Sequence, residues 1–283
     1  ETDLPKGMLQ VLPVSSSVAD GMARDARYRK ISFTGSVDIG WYLKGLDPRK
    51  RVTLELGGNA GVIVHGDADL DLAAKRVAFG GYYQAGQSCI SVQRVLVQEQ
   101  VYEDFAARLV KEVENLKVGD PLDPTVDVGP VIDRGNVERI EAWVREAVAE
   151  GARVLTGGTA DGPFFRPTLL SRVDPEMKVC REEVFGPVVT ISPYGTFEEA
   201  LERVSDSKFG LQAGVFTSDV NRAFQAHREL EVGGVILNDV SAFRADQMPY
   251  GGSKDSGFGR EGLRFAMEEM TEPRIMEIGR AHV

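Results

Sequence analysis

Two residues in this sequence have the type and setting for chemistry, a cysteine in a short glycine-containing segment and a glutamate in an apolar run. Cys89 lies in GQSCIS (86–91), where Gly86 ends a predicted helix and a loop begins. A nucleophilic cysteine needs a partly exposed loop, dipoles that favour the thiolate and backbone N–H groups that stabilise an oxyanion. A lone cysteine is more often a small buried apolar residue, so this segment alone leaves both interpretations open.

Glu55 lies within the apolar segment TLELGG (53–58), at the end of a predicted strand. A cysteine hydrolase would need an imidazole partner, yet the three histidines, His65, His227 and His282, stand in no recognisable motif. A hydrolytic base would then be a carboxylate, and burial raises a carboxyl pKa toward the range where a general base is efficient. The alternative is a structural glutamate in a buried ion pair.

The composition excludes several classes of protein. Of 283 residues, 42% are hydrophobic and 27% charged, and the net charge of -10 disfavours nucleic acid as a partner. The sequence contains neither a membrane-length apolar stretch nor a signal peptide. The only two cysteines, Cys89 and Cys180, indicate free thiols in a reducing compartment. We therefore expect a soluble cytoplasmic protein without a metal site, in which Cys180 has no role in the chemistry.

Strand-like and helix-like segments alternate, which predicts an α/β fold with a largely parallel sheet. Asp67 or Asp69 is expected to cap a helix that ends near Gly86. The glycine-rich segment 248–262 is predicted to be a loop near a site. The predicted strands span 30–35, 52–58, 60–66, 91–98, 187–194, 211–217, 233–239 and 272–278. The predicted helices begin near residues 37, 69, 101, 136, 196, 218 and 260.

Five segments together resemble the signatures of the aldehyde dehydrogenase superfamily. They are FTGSVDIG (33–40), VTLELGGNA (52–60), GQSCISVQR (86–94), EEVFGPVV (182–189) and MPYGGSKDSGFGREG (248–262). The resemblance implies oxidation of an aldehyde to a carboxylic acid with NAD or NADP. Cys89 matches the nucleophile, which forms a thiohemiacetal and then a thioester, and Glu55 matches the base that activates the hydrolytic water.

The resemblance also implies cofactor contacts. Glu183 matches the carboxylate that accepts from the nicotinamide ribose, and Phe185 matches the ring beside the nicotinamide, although both could simply pack under FGP. A helix N-terminus after Gly35 and Ser36 would favour the dinucleotide phosphates. Leu56 and Gly57 match backbone positions beside the nicotinamide.

A substrate entrance is implied at Phe243, Arg244 and Gln247, and Asn238 is expected to support the cysteine loop. Arg244 indicates a small anionic or phosphorylated aldehyde, unless it is a solvated loop arginine. The segments 86–94 and 238–252 look most similar to family members acting on lactaldehyde, succinate semialdehyde or glyceraldehyde-type substrates.

The resemblance divides the chain into three parts. Residues 1–57 would complete a Rossmann-type cofactor domain that is only partly present, residues 58–256 would form the α/β catalytic domain, and residues 257–283 would contribute a returning helix and an oligomerisation strand. We therefore expect a homodimer or homotetramer. Family members carry a further upstream segment, so one alternative is a catalytically silent binding or assembly module. A coenzyme A-dependent enzyme is the other, although such members commonly lack the glutamate.

Overall fold

The computed structural model describes residues 3–279, in which helices and strands alternate. The helices are α1 (Ser16–Arg24), α2 (Val37–Gly45), α3 (Leu70–Tyr82), α4 (Tyr102–Glu114), α5 (Arg134–Ala149), α6 (Lys178–Arg181), α7 (Phe197–Ser205), α8 (Val220–Glu229) and α9 (Leu263–Met270). The longer strands are β1 (Lys30–Thr34), β2 (Arg51–Glu55), β3 (Ala60–Val64), β4 (Val92–Gln98), β5 (Arg153–Thr156), β8 (Thr168–Ser171), β9 (Val188–Tyr194), β11 (Gln212–Phe216) and β12 (Gly234–Leu237). Two-residue strands are β6 (Ala160–Asp161), β7 (Phe164–Phe165), β10 (Phe209–Gly210), β13 (Ser253–Lys254) and β14 (Gly257–Phe258).

A seven-stranded sheet forms the centre of the fold, in the order β12-β11-β3-β4-β9-β8-β5. Neighbouring strands are parallel except at the β5 edge, where β5 runs antiparallel to β8. The predicted α/β fold with a largely parallel sheet is therefore confirmed. Such a sheet requires helices on its faces, and the buried residues of α3 and α4 supply one such layer.

A smaller three-stranded sheet has the order β1-β2-β14. The parallel pairing of β1 with β2 sets Thr34 opposite Glu55, and the antiparallel pairing of β14 with β2 sets Gly257 opposite Glu55. The glycine-rich segment 248–262 thus returns to the strand end that carries Glu55.

Local sequence accounts for several element boundaries. Asp69, and not Asp67, caps α3, because its carboxylate accepts the Leu72 N–H at 3.0 Å. Asp67 instead accepts from the Thr217 hydroxyl at 3.0 Å. The helices predicted to begin near residues 101 and 136 are confirmed as α4 and α5, and each buries apolar side chains at helical spacing. In α4 these are Phe105, Leu109 and Val113. In α5 they are Val137, Ile140, Val144 and Ala147.

Several parts of the chain differ from the sequence prediction. Helix α1 lies in a stretch to which the sequence assigned no element. The region 152–181, to which the sequence assigned no elements, contains β5 to β8 and α6. Residues 272–278, predicted as a strand, have no regular structure in the single chain, since a strand forms only where a neighbour pairs with its backbone groups. Among residues 3–279, every helix is too short or too polar to span a membrane.

Candidate active site

A cleft of about 460 Å³ collects residues that are far apart in the sequence. All eight residues that the sequence assigned to catalysis or cofactor binding line it, namely Cys89, Glu55, Gly35, Ser36, Leu56, Gly57, Glu183 and Phe185. Thr34, Gln87 and Ser88 also line the cleft and were not predicted. The predicted substrate residues Phe243, Arg244 and Gln247 are outside its lining.

The loop that carries Cys89 begins with an unusual backbone. Gln84, Ala85 and Gly86 have φ values of 51°, 55° and 68° in succession, in the left-handed region that disfavours residues with a Cβ. This bend turns the chain out of α3 and into a tight turn, in which the Ser91 N–H donates to the Ser88 carbonyl at 3.0 Å. Cys89 therefore lies on a loop between α3 and β4, as predicted.

Two glycines allow three distant motifs to approach closely. A Cβ on Gly86 would collide with the carbonyl oxygen of Gly186, in the segment 182–189, and a Cβ on Gly58 would collide with the carbonyl oxygen of Cys89. Only glycine leaves room for such backbone contacts. The end of β2, the cysteine loop and the segment 182–189 thus lie directly against one another.

The Glu55 side chain is isolated in an apolar setting. It is 3% exposed, and neither carboxylate oxygen has a hydrogen-bond partner among residues 3–279. Burial raises the pKa of Glu55 to about 8, with a smaller contribution from the nearby Glu261 carboxylate, whereas Arg244 and Arg260 oppose the rise. A carboxyl without a partner is not the structural ion pair that the sequence left open. It has the proton affinity of a general base at neutral to mildly alkaline pH.

The Cys89 thiol lies partly buried at the same cleft. Its Sγ is 3.4 Å from the Tyr250 hydroxyl. Burial raises the pKa of Cys89, and the Glu183 and Glu55 carboxylates add to the rise, while the Tyr250 hydrogen bond lowers the pKa. The sequence led us to expect dipoles that favour the thiolate, but the surroundings as a whole favour the neutral thiol. Attack on a substrate therefore requires that a base remove this proton.

Glu183 lines the cleft and is held by a backbone hydrogen bond. Its Oε1 accepts the Gly58 N–H at 2.7 Å, and its carboxylate leaves no room for a Cβ on Gly57. Burial raises the pKa of Glu183 to about 7. Phe185 is 40% exposed and has φ 45°, so it is not simply packed beneath the FGP segment. Its ring is available to contact a ligand in the cleft.

The start of α2 also lines the cleft, through Gly35 and Ser36. Ser36 is the N-cap residue of this helix, and within the described part of the chain its side chain caps no N–H group. The first N–H groups of a helix lack intrahelical acceptors and favour an anion. A dinucleotide fits this combination, because its phosphates could accept from the helix N-terminus while its ribose hydroxyls donate to Glu183.

The loop predicted to line a substrate entrance borders Glu55. Arg244 donates to the Glu261 carboxylate at 2.8 Å, and its guanidinium lies 4.1 Å from the centroid of the Tyr250 ring. Arg244 is therefore paired and stacked at the protein surface, with 44% of its side chain exposed. Phe243 is 44% exposed, and Gln247 is also exposed.

Ser241, not Asn238, supports the cysteine loop. The Asn238 side chain accepts the Thr217 N–H at 3.1 Å, at the end of β11, so the expectation for Asn238 was wrong. The buried Ser241 hydroxyl instead donates to the carbonyl of Ile90 at 2.9 Å. A short serine gave no sequence signal for this contact, because it depends on how the loop after β12 folds back.

Other chemically active side chains lie elsewhere. Cys180 is buried on α6, where burial raises its pKa to about 11. His65 bonds to the Tyr194 hydroxyl at 2.9 Å, and His227 lies on α8. His282 is outside the described residues. Within residues 3–279, no cluster of three or more His, Cys, Asp or Glu side chains could hold a metal ion.

Comparison with known proteins gives consistent matches over almost the whole chain. Residues 1–276 match the model of the aldehyde dehydrogenase family. A curated 3-sulfolactaldehyde dehydrogenase from Priestia aryabhattai is 47% identical over 277 residues, which are 98% of this chain and 58% of that protein. The chain thus spans less than two thirds of this relative.

Two solved structures are also similar. Aldehyde dehydrogenase 21 from Physcomitrella patens, in complex with the reaction product succinate, has a TM-score of 0.90 and 46% identity, covering 92% of this chain and 55% of that one. Glyceraldehyde-3-phosphate dehydrogenase GapN from Methanocaldococcus jannaschii, complexed with NADP, has a TM-score of 0.87 and 41% identity, covering 89% and 55%.

Proposed function

This chain belongs to the aldehyde dehydrogenase family, and we propose that it carries the nucleophile, the base and part of the cofactor site of an enzyme that oxidises an aldehyde to a carboxylic acid with NAD or NADP. The observation that carries the proposal is the pairing in one cleft of a cysteine thiol with a buried carboxylate that has no partner. The complete activity is proposed for the whole protein, because the chain spans 58% of its curated relative.

The first half of the reaction forms a bond to Cys89. Glu55 takes the thiol proton, since its pKa of about 8 matches this task. The thiolate adds to the aldehyde carbon and gives a thiohemiacetal, whose oxyanion accepts from the Cys89 backbone N–H. Bound NAD(P)+ supplies the hydride acceptor, and loss of hydride leaves a thioester on Sγ.

The second half of the reaction uses Glu55 again. Glu55 first releases to solvent the proton that it took from the thiol. Its carboxylate then removes a proton from water, the water oxygen attacks the thioester carbon, and the C–S bond breaks. The carboxylic acid leaves, and the proton on Glu55 returns to the Cys89 sulfur. The presence of Glu55 favours hydrolysis over acyl transfer to coenzyme A, because transfer to coenzyme A needs no base to activate water. Analysis of the product as free acid or acyl-coenzyme A distinguishes the two acceptors.

We propose a small aldehyde with an anionic group as the substrate. Among the similar proteins, one is named for a sulfonated aldehyde, one is named for a phosphorylated aldehyde, and one is described in complex with succinate. Arg244 lies close enough to Glu55 to oppose the rise in its pKa. An aldehyde panel should show that Arg244→Ala loses preference for anionic members. Arg264→Ala, an exposed arginine on α9, is the matched control. An unchanged preference in Arg244→Ala would remove the anionic assignment.

Residues 272–278 are proposed to pair with a second copy of the chain in a homodimer or homotetramer. Ile275, Met276 and Ile278 are 86%, 87% and 72% exposed, and an apolar segment of this kind is covered when it joins a sheet edge. Truncation after residue 271 should reduce the oligomeric mass measured by light scattering.

The central test is a cysteine comparison. Cys89→Ala in the longest natural form of the protein should abolish aldehyde-dependent NAD(P)H production at 340 nm, whereas Cys180→Ala should retain it. Turnover by Cys89→Ala would refute the proposal. Calorimetric titration of the present chain with NAD then distinguishes two alternatives. Saturable binding indicates a usable cofactor site, whereas a catalytically silent module should show no saturable binding.

A further inference from the structure

The hydroxyl of Tyr250 has no assigned task, although it lies at the proposed nucleophile. Tyr250 is 3% exposed, and its hydroxyl makes one side-chain hydrogen bond among the described residues, to Cys89 Sγ at 3.4 Å. A buried phenol usually has a hydrogen-bond partner, and here that partner is the sulfur of the proposed nucleophile. The contact therefore raises the question of what the hydroxyl does when the thiol ionises.

The direction of this hydrogen bond is fixed once Cys89 loses its proton. In the neutral pair either group can donate, but a thiolate has no proton and can only accept. The Tyr250 O–H must then be the donor. A hydrogen bond to the charged form stabilises that form. Ionising Cys89 is costly here, first because the thiol is buried and second because the Glu183 and Glu55 carboxylates disfavour negative charge on sulfur.

The surroundings of the ring favour such a donor. The Arg244 guanidinium lies 4.1 Å from the ring centroid and is itself held by Glu261. The Arg244 cation opposes the rise that burial causes in the pKa of Tyr250, and a more acidic O–H is a stronger hydrogen-bond donor. The backbone of Tyr250 is fixed by a reciprocal pair of hydrogen bonds with Glu261, so the phenol approaches sulfur in a set position.

We propose that Tyr250 is a catalytic residue whose hydroxyl donates a hydrogen bond to the Cys89 thiolate and thereby promotes formation of the nucleophile. The thiol proton goes to the Glu55 carboxylate or to water, and Tyr250 keeps its own proton throughout. The catalytic role of Tyr250 rests on the proposed function, but the effect of its hydrogen bond on Cys89 can be measured without turnover.

The experiment is the pH dependence of Cys89 alkylation by iodoacetamide in the present chain, followed by mass spectrometry of the Cys89 peptide so that Cys180 is counted separately. Tyr250→Phe keeps the ring and removes only the hydroxyl. The midpoint for Cys89 should move up by about one pH unit, which corresponds to a roughly tenfold lower thiolate fraction below the midpoint. Circular dichroism of each variant checks the fold.

Tyr83→Phe is the matched control, because its hydroxyl bonds to Ser88 Oγ at 2.6 Å, one residue from Cys89, and not to sulfur. Its alkylation midpoint should equal that of the unmodified chain. An unchanged midpoint in Tyr250→Phe, or an equal shift in Tyr83→Phe, would overturn the proposal. Because neither aldehyde nor cofactor is present, failure of the dehydrogenase assignment would not alter the midpoint, and the two hypotheses fail separately.

Discussion

Replacing Glu55 by glutamine should change how the stability of this chain depends on pH. The unfolded chain exposes Glu55 to water, where its pKa is near the ordinary 4.5, whereas burial raises it to about 8 in the folded chain. Between these pH values the folded protein holds a proton that the unfolded chain has released. The free energy of unfolding therefore falls as pH rises through this window, and the loss is complete above about pH 8.

The size of the effect follows from the same two values. A rise from 4.5 to about 8 corresponds to about 5 kcal/mol at roughly 1.4 kcal/mol per pH unit. Because Glu55 borders an open cleft, we halve this to about 2.5 kcal/mol to allow for solvent screening. About 2 kcal/mol of this difference falls between about pH 5 and about pH 9. Glutamine has nearly the same shape and no charge, so any cost of its buried amide is the same at each pH.

Urea denaturation of the unmodified chain and of Glu55→Gln, at about pH 5 and about pH 9, measures this difference. The stability of the variant relative to the unmodified chain should rise by about 2 kcal/mol from the lower to the higher pH. Glu182→Gln, at a half-exposed carboxylate paired with Lys208, is the control and should show little change. Equal pH dependence in the unmodified chain and Glu55→Gln would refute the inference that Glu55 is buried and protonated.

Three further predictions concern the cleft and its support. Glu183 has a pKa raised to about 7, so calorimetry should show NAD affinity falling as pH drops below about 7, and Glu183→Gln should remove this dependence. Gly86→Ala should lower the free energy of unfolding, measured by urea denaturation, by about 2 kcal/mol and should alter the alkylation rate of Cys89. Gly151→Ala is the control for backbone strain alone, because Gly151 has φ 110° but no described atom within 4 Å of an added Cβ. Arg94 donates to the carbonyls of Asn59, Arg203 and Val204. Arg94→Met leaves these acceptors unpaired and should lower the free energy of unfolding, measured by urea denaturation, by about 3 kcal/mol. A smaller decrease than in Gly151→Ala would contradict this prediction.

The spacing of apolar residues in the sequence was enough to predict most of the longer helices and strands. Burial of α4 and α5 follows from side chains three and four positions apart, a local property that survives in any compact fold. Region 152–181 gave no such signal, because its strands are only two to four residues long. They are stabilised by the pairing of β5 with β8, of β6 with β7 and of β8 with β9, and not by an apolar pattern of their own. The same physical reason explains residues 272–278, whose strand character needs a neighbour.

The sequence by itself determined which residues could react. Cys89 in a glycine-containing loop and Glu55 in an apolar strand are matters of residue type and immediate neighbours, and the structure brings both into one cleft. Only the tertiary structure decided their protonation and their partners. The raised pKa of Glu55, the Tyr250 hydroxyl at Sγ and the Ser241 bond to the cysteine loop arise from segments more than 100 residues away. Burial and hydrogen-bond geometry are properties of the folded arrangement, and no local pattern encodes them.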